Sequence, residues 1–65
     1  MKSWLTCDEN GWVYRHCEFE DGYKREPDWI GTIERTKDGG GRWFQMYGDN
    51  RTFSPAELKQ IFDFL

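Results

Sequence analysis

Histidine occurs once in this 65-residue chain and cysteine twice, and nine Lys and Arg face twelve Asp and Glu. Each scarcity excludes something. Structural zinc takes four ligands, commonly paired at C-x2–4-C spacing. Cys7, His16 and Cys17 are three soft ligands at the wrong spacing, so no metal and no cofactor is expected. No apolar run approaches the ~18 residues of a membrane span, and the start MKSWLTCDENG lacks the apolar centre of a signal peptide. A cytoplasmic location, no membrane contact and reduced thiols are the expectation. A net charge of -3 without a basic cluster weighs against nucleic acid, whose phosphates call for grouped Lys and Arg.

Rings are what the chain has in quantity. Aromatic residues make up 18% of it, four of them Trp, against a mean hydropathy of -0.95. A single domain of this size buries about 60% of the surface its unfolded form exposes. Its apolar content must therefore sit in a few large side chains, each able to cover roughly 150–250 Å². The acidity is uneven. Residues 1–30 carry four basic against seven acidic groups, residues 31–65 five against five.

KDGGGRWFQMYGD looks at first like a phosphate-binding loop. Such loops run from a strand into a helix N-terminus. Here the glycines lead into Trp43, Phe44 and Tyr47, which favour strands, and no Gly-Lys-Ser/Thr follows. The segment reads as a hairpin turn. Asn10-Gly11 is a second turn signal, because both residues tolerate positive φ. Strands are expected at about residues 3–8, 12–19, 29–36 and 42–48. The charged stretch EDGYKREPD between the middle two reads as a loop of about nine residues, its Pro27 unable to donate to a ladder.

RTFSPAELKQIFDFL ends the chain with a helix. Ser54 can cap it, Pro55 suits its first position and Glu57 completes a capping box. Phe53 can staple onto Leu58. Leu58, Ile61, Phe62 and Leu65 follow the spacing of one apolar face, with Glu57, Lys59, Gln60 and Asp63 outside it. The fold expected is α+β: a single domain, residues 1–65, with a four-stranded antiparallel sheet and one C-terminal α-helix packed on one face.

Catalysis by Cys7 or Cys17 would need His16 as activating base. His16 and Cys17 are neighbours on a strand and diverge, and nothing orients the imidazole toward Cys7. The chain is expected not to be an enzyme. With a two-residue turn Cys7 faces Tyr14, with a three-residue turn Val13; in either register Cys17 is too distant for a disulfide.

Function is expected on the uncovered sheet face. Trp12, Tyr14 and His16 oppose Val13, Arg15, Cys17 and Phe19; Trp43, Gln45 and Tyr47 oppose Phe44 and Met46. Trp12 and Tyr14 are the expected anchors for a protein partner, since Trp and Tyr dominate binding hot spots. Glu18, Glu20 and Asp21, with Tyr23 beside them, are the expected acidic part of the same partner-binding surface. Self-association through an uncovered sheet edge is a further expectation, as a homodimer.

Strands followed by RTFSPAELKQIFDFL make residues 29–65 resemble AP2-like and integrase arm-binding domains in layout. That resemblance implies nucleic-acid reading by a sheet that offers Arg35, Arg42 and Arg51. The whole chain is also similar in type to the compact acidic proteins of phages and prophages, anti-CRISPR proteins among them. This second resemblance implies an inhibitor that blocks a host enzyme or a defence complex.

Overall fold

The computed structural model describes residues 2–48 and 51–65. Four strands, β1 (Lys2–Cys7), β2 (Trp12–Glu18), β3 (Asp28–Arg35) and β4 (Arg42–Met46), precede one helix, α1 (Pro55–Phe64). The strands form one antiparallel sheet in chain order. The expected α+β fold is present.

The first hairpin is a three-residue turn. The Asp8 backbone N–H donates to the Trp12 carbonyl, and Gly11 N–H to that of Asp8, both at 3.0 Å. Asp8 Oδ1 also accepts the N–H groups of Asn10 and Trp12 at 2.9 Å. Gly11 is required twice over. Its φ is +83°, and a Cβ there would lie 2.8 Å from the Ile33 carbonyl oxygen. The close approach lets the Gly11 carbonyl accept the Ile33 N–H at 2.6 Å, tying this turn to β3.

This turn sets the register. Cys7 stands opposite Val13 and Cys17 opposite Ser3, four positions along the ladder. At ~3.3 Å per residue that is about 13 Å, beyond the ~7 Å a disulfide allows between Cα atoms. Both thiols are free. Alkylation of denatured, unreduced protein is accordingly expected to add two labels; an unlabelled product would refute the register.

The nine residues between β2 and β3 form a loop of the expected length, and it opens with a tight turn. Phe19 N–H donates to the Tyr23 carbonyl at 2.8 Å and Gly22 N–H to the Phe19 carbonyl at 2.9 Å. Glu18 then bridges to Lys24. In β3, Gly31 pairs with Val13 but Trp29 with Tyr14. Ile30 is thus the extra residue of a β-bulge, which keeps it facing the core while Trp29 faces away.

The core is aliphatic: Leu5, Val13, Ile30 and Ile61, with Cys7, Ile33, Phe44, Phe53 and Phe64 packed around it. The helix lies over β1, and its capping box forms as expected. Its rotation does not match the apolar stripe. Glu57 and Ile61 are buried, Gln60 and Phe64 half-buried, while Leu58, Phe62 and Leu65 are exposed at 54%, 74% and 42%. The reason is polar. Glu57 Oε2 accepts the Arg15 Nε–H at 2.8 Å, and Gln60 Oε1 accepts the Leu5 backbone N–H at 2.6 Å. These two anchors roll the helix away from its most apolar face. Phe53 meets Phe44 edge-on, centroids 5.9 Å apart, rather than serving as a staple on the exposed Leu58.

Candidate functional site

Strand alternation assigns the rings of β1, β2 and β4 to faces. Leu5, Val13 and Phe44 point to the helix side. Their neighbours Trp4, Trp12, Tyr14, His16 and Trp43 therefore point to the other, and the bulge adds Trp29. All four tryptophans lie on the face the helix leaves open, opposite an aliphatic core.

They are organised. Trp12 stacks on Trp29 at 4.8 Å between centroids and 25° between planes. Tyr47 leans on the other side of Trp29 at 4.6 Å. The Trp29 indole N–H donates to the Gly31 carbonyl at 3.0 Å, which fixes that ring in place. Arg51 Nε–H donates to the Tyr47 carbonyl at 2.5 Å. A second pair, Trp4 and His16, stacks nearly parallel at 5.4 Å and 6°, with His16 Nε2 2.7 Å from Thr6 Oγ1. Tyr14 lies on β2 between the two groups.

The band is half wet. Trp12, Trp29 and Tyr47 retain 42%, 41% and 40% exposure and Trp43 44%. Stacking leaves Trp12, Trp29 and Tyr47 little rotamer freedom to lose. Beside Trp43, on the same face, Thr32 Oγ1 donates to Glu34 Oε1 at 2.8 Å.

The residues expected to act together fall into two regions. Trp12 and Tyr14 sit in the ring band. Glu18 ends β2, and Glu20, Asp21 and Tyr23 lie in the turn beyond it, all three exposed. Asp21 Oδ1 accepts the Tyr23 N–H at 2.9 Å, and the Tyr23 ring tilts against Phe19 at 5.8 Å. Six strand positions separate Trp12 from Glu18, about 20 Å at ~3.3 Å per residue. Trp29, Trp43, Tyr47 and Trp4 complete the band and were not singled out by sequence reasoning. The Trp29 face depends on the Ile30 bulge, which has no sequence signature.

Cys7 and His16 point to opposite faces, so the pairing considered for catalysis is not formed. Burial pushes the Cys7 thiol up, and the Asp8 carboxylate adds to the shift; at neutral pH the group is a protonated, weak nucleophile. Among the described residues no group of three or more His, Cys, Asp or Glu is arranged to hold a metal, and no helix is long and apolar enough to cross a membrane. On the helix side, a groove of about 630 Å³ is lined by Arg15, Arg25, Asp28, Phe53 and Glu57 among others. Arg15 is committed there to Glu57 and to the Thr52 carbonyl, 2.8 Å away.

No family model matches the chain, and neither the search of curated proteins nor that of solved structures returned a match.

Proposed function

We propose that the chain is a non-enzymatic protein-binding module that acts as an inhibitor, covering a functional surface of a partner enzyme or defence complex with its open sheet face. One observation carries this reading: four tryptophans are displayed on one side of a sheet whose core needs none of them. Large rings at the centre of an interface supply most of its binding energy. The distant acidic turn, Glu18 to Tyr23, supplies long-range attraction toward a basic partner.

The nucleic-acid alternative suggested by the AP2-like layout is weaker for a geometric reason. Arg35 and Arg42 pair with each other across β3 and β4, one position out of phase with Glu34 and Trp43. They therefore point to the helix side, away from the rings. A strand of nucleic acid on the aromatic face would meet Glu34 rather than a row of cations.

The test is affinity capture with wild type and the Trp12→Ala/Trp29→Ala double variant, followed by surface plasmon resonance on the captured protein. The double variant is expected to dissociate at least about thirtyfold faster, the equivalent of a hot-spot loss of ~2 kcal/mol. Reversing Glu18, Glu20 and Asp21 to Lys is expected to slow association about tenfold at low salt, with circular dichroism unchanged. A partner held equally well by all three proteins would place the interface elsewhere.

A further inference from the structure

We infer that β4 is the seam of a twofold-symmetric homodimer, in which two copies of the chain join their sheets edge to edge. The two edges of this sheet are treated differently. β1 is covered: the helix lies over it, and Gln60 Oε1 accepts the outward-facing Leu5 N–H at 2.6 Å. β4 is the opposite edge, and among the described residues no segment runs beside it. Natural edges are usually blunted by Pro, Lys, a bulge or a covering element. Arg42–Met46 contains neither Pro nor Lys, and its register with β3 runs unbroken over five pairs.

The hydrogen-bonding phase makes this edge complementary to itself. Thr36 N–H donates to the Gly41 carbonyl at 3.0 Å and Tyr47 N–H to that of Ile30 at 2.9 Å. In an antiparallel ladder the bonded positions alternate, so Gly41, Trp43, Gln45 and Tyr47 are turned toward β3. Arg42, Phe44 and Met46 turn their N–H and C=O groups outward. An antiparallel copy centred on Phe44 places Phe44 opposite its equivalent and Arg42 opposite the second copy's Met46. Every outward donor and acceptor of the three residues then has a partner.

Side chains agree with that register. Two arginines directly opposed would repel, but this pairing sets each against the apolar stem of Met46, which is 43% exposed in the monomer. A parallel pairing would instead bring Arg42 beside Arg42. The helix lies over the far edge and does not obstruct the seam. On the open face Trp43 of each copy comes opposite Gln45 of the other, extending the aromatic face across an eight-stranded sheet. The inference is independent of the proposed inhibitor function, since the seam is made by the outward backbone groups of Arg42, Phe44 and Met46 and would form whether or not the rings meet a partner.

One strand pair is small beside the ~1,600 Å² of a standard stable interface, so the dimer is concentration-dependent. Sedimentation equilibrium from micromolar to millimolar protein is expected to show the mass rising from 7.9 kDa toward twice that value. Over the same range, hydrogen exchange at the Phe44 and Met46 amides is expected to slow at least tenfold, with Leu5 unchanged. Met46→Pro deletes an outward N–H that the monomer does not use in its ladder, a position where edge strands accept proline. It is expected to remain folded and monomeric at all concentrations. Met46→Lys, which sets Lys opposite Arg42 of the second copy, gives the same result without touching the backbone. A wild-type mass of 7.9 kDa throughout overturns the inference. So does a dimer that survives both variants with the Phe44 and Met46 amides unprotected, which would place the contact on the exposed Leu58–Phe62 side of the helix or on the ring band.

Discussion

Gly31→Ala is expected to lower the free energy of unfolding by about 3 kcal/mol, the upper range for forcing an added methyl into a filled site. A domain of this size holds roughly 3–10 kcal/mol in all, so much of its stability would go. Gly31 is buried in β3 beside the bulge, with β2 on one side and β4 on the other. A Cβ on it would lie 2.6 and 2.7 Å from Cε1 and Cζ of Phe44 and would also strike the Gln45 carbonyl oxygen. The ring can turn aside only by leaving its edge-on contact with Phe53, and the carbonyl belongs to the ladder. Two components are separable. Phe44→Leu in the Gly31→Ala background should recover the ring part of the loss but not the backbone part. Gly40→Ala is the control: its Cβ would meet Asp38 Oδ1 at 3.4 Å, an ordinary contact, and its effect should stay within ~0.5 kcal/mol. Urea unfolding followed by tryptophan fluorescence measures all three variants. A Gly31→Ala loss no larger than that of Gly40→Ala would mean that β4 does not pass over Gly31 as described.

The legible parts of the fold were those written in local chemistry. Asn10-Gly11, the glycines before Arg42 and the Ser54–Glu57 capping box each act over three or four residues, and each fixes an element end where expected. Alternation then sorts Trp12, Tyr14, Trp43 and Tyr47 onto one face once a single core residue per strand is known. Relations that depend on distant residues were not legible. The Ile30 bulge lies in the pairing of β3 with β2, Gly31 against Val13 and Trp29 against Tyr14, which no property of DWIGTIER announces. The helix rotation is one of them: apolar spacing counts Leu58 and Phe62 as core, whereas Arg15 and Leu5, more than forty residues earlier, select Glu57 and Gln60. For the candidate site, Trp12 and Tyr14 were accessible by periodicity. The separation between these rings and the Glu18–Tyr23 turn is set by the length of β2, which begins at Trp12 and ends at Glu18.

Glu57→Gln is expected to destabilise the domain by about 2–3 kcal/mol at neutral pH, and by progressively less as the solution is acidified. The magnitude reflects a largely buried ion pair deprived of one charge, for which breaking costs reach ~3–5 kcal/mol when burial is complete. Here the two side chains are 19% and 8% exposed, and glutamine can still accept a hydrogen bond. Burial alone would raise the Glu57 carboxyl. The Ser54 backbone N–H, the Arg15 guanidinium and the Ser54 hydroxyl outweigh it and hold the group below its ordinary value of 4.5. A carboxyl whose folded pKa is depressed stabilises the fold fully above its unfolded pKa. That contribution fades as pH falls below about 4.5 and is gone once the folded pKa is passed. Wild-type and Glu57→Gln stabilities, from urea titrations between pH 7 and pH 3, should therefore converge toward the acid end. Arg15→Lys is the complementary variant. A lysine keeps the charge but has no planar fork to reach Glu57 and the Thr52 carbonyl together, nor a guanidinium to lie over Phe53 at 5.2 Å. It should lose stability while retaining the acid limb, because Glu57 still faces a cation. Parallel pH curves for wild type and Glu57→Gln would show that the pair contributes through packing alone, and that the rotation of the helix has some other origin than its charge.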